Sequence, residues 1–380
     1  MSHKVVILGG GVGGTLLANV LSRKLKRSEV EVTVVDEFGK HIYQPGWLYL
    51  PFGETSPGSL VKSERSLLSK RVNLVTGAAE RIDPVAKEVL IKDQASVPYD
   101  TLVIATGSRI VPDAIPGFEE SAHHFYSEEA AIRLEDAINR FEGGHLVIGV
   151  ADIPYKCPPA PLEFTFKIED LLTKRGLREK TEITYLSPIN RVFTIESVSE
   201  FVTPMLEERG IKYETFFNVD SIDPATKTVT SLEGDEITYD LLVLVPPHRG
   251  AKVVMDSGLG DTQGWISTDR HTLQVSGQSD IFAIGDATDI PVSKSGSAAH
   301  FEAKVLADRL VHRVRGESLE GATEYDGHVL CFLETGRGEA SQLVFDFEHP
   351  PKPPTPNHFY HYEKLLFNRA YWYIVPKGIV

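Results

Sequence analysis

The two cysteines of this 380-residue chain carry the most reactive side chains in it, because a thiolate can act as a nucleophile or a redox centre. Cys157 lies in the segment 155–161, which reads Tyr-Lys-Cys-Pro-Pro-Ala-Pro, and Cys331 lies far along the chain. Proline has no backbone N–H and restricts the main chain. The segment is therefore typical of one rigidly held thiol. Two unrelated buried thiols are the alternative, and a disulfide in a cytosolic protein would be transient and catalytic.

A glycine-rich turn near the start of the chain predicts a dinucleotide site. Gly9, Gly11 and Gly14 have the G-x-G-x-x-G spacing, and Asp36 follows about 20 residues later, where such sites have their ribose-binding acid. The flanking pattern predicts a buried strand, a helix and a second strand over residues 5–8, 16–25 and 30–35. The strand, the helix and the acid together make this interpretation far more specific than the glycines alone.

A second unit of the same kind is predicted in the middle of the chain. A short meander leading into an apolar strand occurs twice, over 87–107 and 227–247. Between them the pattern predicts a strand, a helix and a strand over residues 146–150, 162–172 and 182–186. The turn after this first strand, 149–154, reads Gly-Val-Ala-Asp-Ile-Pro and lacks the dinucleotide fingerprint.

We therefore expect an α/β fold with two Rossmann-like dinucleotide-binding domains, of the glutathione-reductase-like kind, and a small C-terminal region. The segment 281–287 resumes the pattern of the first unit, which makes that domain discontinuous. The predicted domains are 1–110 with 245–320, then 111–244, then 321–380. A proline-rich stretch at 350–356 is predicted to be an extended spacer.

Composition narrows the class of protein. The chain is 42% hydrophobic and 24% charged, as expected for a globular protein, and its net charge is −14. Nucleic-acid binding needs a basic surface, so it is not expected. No export signal precedes the first strand, and no apolar run has the roughly 20 residues of a membrane span. We expect a cytoplasmic location, in solution or at the inner face of the cell membrane.

The segment 357–380 is rich in aromatic residues and is predicted to form an amphipathic helix. Its apolar positions are expected on one face: Tyr362, Leu365, Leu366, Ala370 and Tyr373. Basic residues are interspersed, which is typical of a helix lying in a lipid interface. The alternatives are docking on the first domain or on another subunit of a homo-oligomer.

Taken together, these patterns resemble the two-dinucleotide-fold flavoproteins, and within them most closely the sulfide:quinone oxidoreductases and flavocytochrome c sulfide dehydrogenases. The superfamily resemblance rests on the glycine turn, Asp36, Ala-Thr-Gly at 105–107 and Ile-Gly-Asp-Ala at 284–287. The closer one rests on four further segments, 43–46, 157–163, 291–296 and 329–332.

The resemblance implies an FAD cofactor. In this family the pyrophosphate contacts the glycine turn, which corresponds here to Gly9, Gly11 and Gly14. The adenosine ribose would be bound by Asp36, for which the alternative is an acid that faces solvent. The remaining implied FAD contacts are Pro45 at the isoalloxazine, Ala79 at the adenine, Thr106, Gly107, Gly285, Asp286 at the ribityl chain, and Lys294. Lys294 is expected near both flavin and quinone, with a surface lysine as the alternative.

The resemblance also implies that Cys157 and Cys331 form a redox pair that HS⁻ attacks. Cys331 is expected to face the flavin and Cys157 to carry the growing sulfur chain, with a lowered thiol pKa. Glu163 is a candidate proton shuttle, or an acid placed for the helix dipole. His124 is a second candidate, or a surface histidine. Tyr43 and Phe332 are candidates for the quinone site, and no metal is expected.

The chain departs from the family in places. No cysteine occurs in 123–128, so FAD is expected to bind non-covalently, and no histidine follows Leu186, where some members have one. Three alternatives stay open: a type II NADH:quinone dehydrogenase, a flavoprotein subunit that passes electrons to a haem or Fe–S partner, and an FAD-binding scaffold without turnover.

Overall fold

The computed structural model describes residues 2–379. The strands in chain order are β1 (His3–Leu8), β2 (Val30–Asp36), β3 (Lys40–Ile42), β4 (Val61–Ser63), β5 (Asn73–Thr76), β6 (Ala79–Asp83), β7 (Glu88–Ile91), β8 (Val97–Pro98), β9 (Thr101–Ile104), β10 (Ser108–Ile110), β11 (Gly144–Val150), β12 (Thr181–Leu186), β13 (Lys212–Glu214), β14 (Val219–Asp223), β15 (Thr228–Ser231), β16 (Glu236–Thr238), β17 (Leu241–Val245), β18 (His248–Gly250), β19 (Ile281–Ala283), β20 (Val329–Gly336) and β21 (Glu339–Phe345). The helices are α1 (Val12–Lys24), α2 (Glu64–Leu67), α3 (Phe118–Ser121), α4 (Glu128–Arg140), α5 (Ala160–Lys174), α6 (Glu196–Glu208), α7 (Lys252–Asp256), α8 (Gly296–Arg315) and α9 (His358–Ile374).

The first sheet is parallel, with the order β19-β9-β1-β2-β5. Its central strand β1 is covered on both faces. Val5 and Ile7 pack in a core shared with α1 and α8, whereas Val6 and Leu8 pack in a second core with β6 and β7. Burial on both faces explains why β1 is a continuous apolar run without alternation.

The second sheet is also parallel, with the order β13-β12-β11-β17. Its central strand β11 leads through residues 151–159 into α5, which begins among prolines. The two units are joined by an antiparallel ribbon in which β10 pairs with β18. Each unit has its own three-stranded meander, β6-β7-β8 in the first and β14-β15-β16 in the second.

The C-terminal region places one more layer against the two units. The hairpin β20–β21 packs on α5, and the extended stretch that follows is fixed by Ser197 Oγ to Pro351 O (2.7 Å) and Ser341 Oγ to Pro354 O (2.6 Å). Helix α9 follows, and its N-cap is Asn357, whose Oδ1 accepts a hydrogen bond from Tyr360 N at 3.1 Å.

Helix α9 has two distinct faces. Tyr371 and Trp372 are buried against the first unit. The opposite face is apolar and exposed, with exposed fractions of 70% for Phe359, 67% for Tyr362, 67% for Leu366 and 63% for Tyr373. Leu365 and Ala370, which the sequence assigned to the same face, are half-buried. The helix is therefore docked on the first unit and still presents an apolar stripe.

The predicted α/β fold class is confirmed. Each predicted strand and helix quoted above is present, and most extend one to four residues further at an end. Among the helices of residues 2–379, none combines the length and the apolar character that crossing a bilayer requires.

Candidate functional site

The glycine turn leaves the N-terminus of α1 open for an anion. A Cβ on Gly9, whose φ is +113°, would collide with the carbonyl oxygen of Ala105, and a Cβ on Gly14 would collide with that of Gly9. In contrast, a Cβ on Gly11 would meet no atom within 4 Å. Gly9 and Gly14 thus serve close packing of strand and helix, and Gly11 faces open space at the first helical turn.

Asp36 closes the same turn from the end of β2. Its carboxylate accepts hydrogen bonds from Gly10 N at 3.0 Å, Phe38 N at 3.1 Å and Gly39 N at 2.7 Å. β5 ends beside Asp36, where Gly77 N donates to Asp36 O at 3.0 Å, and Ala79 begins β6 two residues after Gly77. Asp36 is thus held by the turn rather than projecting freely into solvent.

The ends of β9 and β19 face this turn. Thr106 Oγ1 is buried and finds no hydrogen-bond partner among the described residues, and Gly107 (φ +64°) has open space where a Cβ would be. Gly285 (φ +72°) starts a single 3-10 turn that carries Asp286, and its N–H donates to Glu302. Burial, with a smaller contribution from the Asp286 charge, raises the pKa of Glu302 to about 8.

Lys294 is buried, with 8% of its surface exposed, so the surface-lysine alternative is wrong. Its ammonium donates to Asp286 O at 3.1 Å and Thr288 O at 2.7 Å and lies 4.1 Å from the centroid of the Trp265 ring. Burial lowers the pKa of Lys294, while the Asp286 charge opposes that shift. Pro45 is exposed in the 3-10 turn Gln44–Leu48 of the same unit.

These residues fit FAD. The turn offers an open helix N-terminus for the pyrophosphate, two glycines have no room for a side chain, and the buried Thr106 hydroxyl lacks a partner within residues 2–379. A polar ligand that reaches this edge of the sheet would supply that partner.

Cys157 is held in a strained conformation. Its φ is +57°, a left-handed conformation that non-glycine residues rarely adopt. Both of its main-chain groups are bonded: Cys157 N donates to Lys294 O at 2.7 Å and Ala160 N donates to Cys157 O at 2.9 Å. The first of these bonds ties the thiol directly to the loop that carries Lys294.

Cys331 reaches the same place from β20. Both cysteines are free thiols in the structure. The Ser295 hydroxyl at the start of α8 bonds to the Cys331 sulfur, and Leu330 N donates to Ser297 Oγ at 2.9 Å. Cys331 is close enough to Cys157 for its charge to raise the pKa of Cys157. The two thiols, which are remote in sequence, therefore lie within electrostatic range of each other.

The predicted lowering of the thiol pKa is wrong for these free thiols. Burial, and next the negative charge of Glu163, raise the pKa of Cys157 and bring that of Cys331 to about 12. Lys364 opposes the shift at both sulfurs, and the Ser295 hydrogen bond opposes it at Cys331. Burial and the Glu163 charge both disfavour the thiolate, so the raised pKa favours the protonated form of each thiol.

Glu163 lies in a buried group of charges beside the thiols. It is 2% exposed and forms an ion pair with Lys364 of α9, and its Oε1 also accepts from Glu334 N at 2.8 Å. Glu334 in turn accepts from Tyr49 OH at 3.0 Å. Burial raises the pKa of Glu163, and Lys364 acts in the opposite direction. Glu163 is an acid of the first turn of α5, as the dipole alternative expected, and it also has a fixed cation partner.

The two candidate quinone residues lie in different surroundings. Tyr43 is buried, its hydroxyl donates to Asn368 Oδ1 at 2.5 Å, and its ring centroid is 4.3 Å from that of Tyr371. Burial raises the pKa of Tyr43, and the charges of Cys157 and Glu163 add to the shift. Phe332, next to Cys331 on β20, is half-buried.

His124 is buried in the second unit, so the surface-histidine alternative is wrong. Its Nδ1 accepts from Tyr126 N at 3.2 Å. Burial, with a smaller contribution from the Arg133 charge, lowers the pKa of His124 to about 4. An imidazole in this environment is a weak proton acceptor near neutral pH.

The loop that would hold a second nucleotide differs from the glycine turn. Residues 151–159 separate β11 from α5, and prolines stand at 154, 158 and 159, with Pro161 in the first turn of the helix. These positions have no N–H to offer to a pyrophosphate. The anion-binding geometry of the first unit is not repeated here.

Comparison with known proteins agrees with the site. A family model described as "Pyridine nucleotide-disulphide oxidoreductase" matches residues 3–303. The chain belongs to this family. It is a flavin-dependent oxidoreductase with the fold that the sequence predicted.

Individual relatives of this oxidoreductase are similar over nearly their whole length. A mitochondrial sulfide:quinone oxidoreductase of Dictyostelium discoideum is 28% identical, over 99% of this chain and 86% of the relative. A type II NADH:quinone oxidoreductase of Staphylococcus aureus is 25% identical, over 90% of each chain. The solved structure of the sulfide:quinone oxidoreductase of Aquifex aeolicus has a TM-score of 0.86 at 24% identity, over 99% of this chain and 92% of the other. The resemblance to sulfide:quinone oxidoreductases drawn from the sequence is confirmed.

The sequence analysis assigned no role to several residues that the structure places at the oxidoreductase site. Ser295, Glu334 and Lys364 belong to the surroundings of the thiols, yet nothing in their spacing points there. Lys156 is next to Cys157 and could have been noticed. Its ammonium lies 3.5 Å from Ser108 O, and burial lowers its pKa while the Asp286 and Cys157 charges oppose that shift.

Proposed function

We propose that this oxidoreductase oxidises sulfide at Cys157 and Cys331 and passes the electrons through non-covalently bound FAD to a quinone. The proposal is supported by two observations: Cys157 is bonded to the Lys294 loop, and the charges of Cys331, Glu163 and Lys364 all act on the Cys157 thiol. Its similarity to a mitochondrial sulfide:quinone oxidoreductase supports the choice of sulfide and quinone.

The first step is thiol–disulfide exchange. The two free thiols first lose two protons and two electrons, for which bound FAD would be the acceptor, and form a Cys157–Cys331 disulfide. HS⁻ then attacks the Cys157 sulfur, a new S–S bond forms, the old one breaks, and Cys331 leaves as a thiolate. Cys157 is the better carrier of the persulfide because its main chain is fixed at both N and O. The Ser295 hydroxyl, bonded to Cys331, and the Lys364 charge both favour the leaving thiolate.

The second step closes the sulfur chain. The Cys331 thiolate joins the outer sulfur of the persulfide, the persulfide proton goes to Glu163, and an electron pair leaves. FAD, when bound, accepts that pair and delivers it onward to a quinone. The raised thiol pKa makes a free thiolate costly here, which favours its prompt oxidation. A further HS⁻ can then attack the lengthened chain.

The quinone and the membrane belong to the same proposal. The exposed stripe of α9 lies in the lipid interface at the inner face of the cell membrane, and the same helix brings Lys364 to the thiols. A quinone dissolved in the lipid would enter between α9 and the 3-10 turn at Gln44–Leu48, near Tyr43 and Phe332.

The second candidate function, NADH:quinone oxidoreduction, is favoured by the similarity to the Staphylococcus aureus protein. The proline-rich loop at 151–159 counts against it, because it offers few N–H groups at the start of α5.

The thiol mechanism is tested with FAD-loaded protein under anaerobic conditions. Sulfide should bleach the flavin absorbance of the unaltered protein. Cys157→Ala and Cys331→Ala should each slow bleaching by at least about 1000-fold, because removing one member of a unit that acts together costs nearly as much as removing all. Dithionite should bleach every variant, which controls for bound FAD. Bleaching by sulfide at the original rate in both variants would refute the mechanism.

The membrane contact is tested by co-sedimentation with phosphatidylcholine vesicles. Leu366→Glu should weaken binding about tenfold, as expected for losing one buried leucine. Val85→Glu, at an apolar position 94% exposed on a hairpin of the first unit, should leave binding unchanged and serves as the matched control. Equal binding of all three proteins would exclude α9 as the lipid-facing element.

A further inference from the structure

A buried polar network that takes no part in the thiol chemistry joins the glycine turn to α9. Its members are Thr15, His41 and Glu64, each completely buried, and Tyr371, which is 3% exposed. They come from four elements: α1, β3, α2 and α9. The proposed oxidation of sulfide uses none of them, so the network calls for a separate explanation.

A series of polar contacts at hydrogen-bond distance runs from the C-terminal helix to the cofactor turn. Tyr371 OH bonds to His41 Nε2 at 2.7 Å, and His41 Nδ1 bonds to Glu64 Oε2 at 3.1 Å. Thr15 Oγ1 lies 2.7 Å from Glu64 Oε1 and 3.0 Å from Gly10 O. Gly10 N donates to Asp36 at 3.0 Å. The chain of contacts thus ends on the residues that meet the pyrophosphate and the ribose.

Glu64 also lies directly beneath the turn. A Cβ on Gly10 would be 3.1 Å from the Glu64 side chain and 3.0 Å from Asp36 Oδ2. In addition, Glu64 N donates to Gly39 O at 2.9 Å, and Gly39 N donates to Asp36 at 2.7 Å. The position of Glu64 and the shape of the FAD turn are therefore set together.

A second set of contacts follows the same route. Asn19 Nδ2 on α1 donates to Pro376 O at 2.8 Å, and Arg23 Nη2 donates to Gly378 O at 2.8 Å. The segment after α9 is thus bonded to the helix whose N-terminus faces the pyrophosphate. Movement of α9 away from the first unit would disturb both sets of contacts.

Stability alone is a poor reason for such a network. A fully buried acid and histidine lose their hydration, and an apolar replacement of equal volume is often as stable. Directional bonds in a dry interior do transmit geometry from one group to the next. A continuous network between two parts of a site is suited to making each part depend on the other.

We infer that Glu64, His41 and Tyr371 couple FAD binding to the docking of α9, with Tyr371 a positioning residue for the glycine turn. Thermodynamic linkage requires the coupling to be reciprocal: FAD favours the docked helix, and the docked helix favours FAD. The inference concerns FAD and α9 only, so it stands or falls independently of sulfide as the substrate.

The reciprocal effect on α9 is tested by hydrogen exchange in the full chain, stripped of FAD and then reloaded. FAD should slow exchange of the amides of residues 358–374 at least about fivefold in the unaltered protein. The same effect should be present in Tyr373→Phe and reduced in Tyr371→Phe. Exchange of α9 that is indifferent to FAD would overturn the inference without the need for any variant.

The effect on FAD is tested by measuring its dissociation from the same three proteins by flavin fluorescence. Tyr371→Phe removes one hydroxyl and should raise the FAD dissociation constant at least about fivefold. Tyr373→Phe removes a hydroxyl from an exposed ring of the same helix and should change it less than about twofold. A Tyr371→Phe protein that holds FAD as tightly as the unaltered one would show that the network only packs the helix.

Discussion

The loop after β1 and the loop after β11 occupy equivalent places in two similar sheets, but they present opposite chemistry. The first has glycines at 9, 11 and 14 and an open helix N-terminus. The second has prolines at 154, 158, 159 and 161 and a cysteine with φ +57°. One exposes backbone N–H groups, and the other removes them and holds a sulfur atom instead.

The difference teaches how one fold can serve two chemistries. The parallel sheets and their helices fix where a loop lies, and the loop residues decide whether an anion or a thiol is held there. In the first loop steric constraints on Gly9 and Gly14 keep the turn tight. In the second loop main-chain bonds to Lys294 and Ala160 keep Cys157 in its strained conformation.

The largest effect is expected from a substitution that disrupts the glycine-rich loop after β1. Gly14→Ala would push a Cβ into the carbonyl of Gly9, where only backbone movement can relieve the clash. We expect loss of FAD and a fall of about 3 kcal/mol in the free energy of unfolding, measured by urea denaturation.

Gly11→Ala is the matched control for that change, because its Cβ would meet no atom within 4 Å. The unfolding free energy of this variant should change by less than about 0.5 kcal/mol. Equal destabilisation by the two substitutions would contradict the packing role given to Gly14.

The next effect tests the second loop. NADH should reduce the flavin of the unaltered protein at least about 100-fold more slowly than sulfide does. The reason is that the proline-rich loop does not supply the roughly 3 kcal/mol of binding free energy that a glycine loop gives to the NADH pyrophosphate. Anaerobic stopped-flow absorbance measures both rates. Comparable rates with the two donors would show that the proline loop still binds a nicotinamide cofactor.

The smallest effect concerns the charge beside the thiols. Lys364 lowers the pKa of Glu163 against the effects of burial and of the Glu334 charge, so Lys364→Met should raise it further. The carboxylate form would then require a higher pH, and the acid limb of the pH profile for flavin reduction by sulfide should move up by about one unit.

Arg369→Met is the control for this charge change, because Arg369 is an exposed cation on the same helix. Its pH profile should coincide with that of the unaltered protein. A Lys364→Met profile that does not move would remove Glu163 from the proton transfer.

The fold was largely predictable because its signals are local. The apolar run at 5–8, the glycine spacing and the Ile-Gly-Asp-Ala segment each depend on a few neighbouring residues. The two meanders were recognisable because the same sequence pattern occurs twice. Residues from distant segments were less accessible. Cys157 and Cys331 could be paired only through a family resemblance, since no spacing rule joins residues so far apart.

The electrostatics of the site could not be predicted from the sequence. The lowered thiol pKa expected for a reactive cysteine is replaced by a raised one, because both sulfurs are partly removed from water and lie within range of the Glu163 charge. Lys364 and Glu334 follow from the docking of α9 and β20 on α5, which local patterns do not encode. His124 and Lys294 gave no sign of their burial for the same reason.

The width of one helix sets a length scale for this protein. Lys364 points inward from α9 and Leu366 points outward, and an α-helix with its side chains is about 10 Å across. A molecule resting against the outer stripe is therefore separated from the buried ion pair by a single layer of backbone. A displacement or tilt of α9 by a few ångströms would therefore change how well the thiols and the buried ion pair are shielded from solvent or lipid.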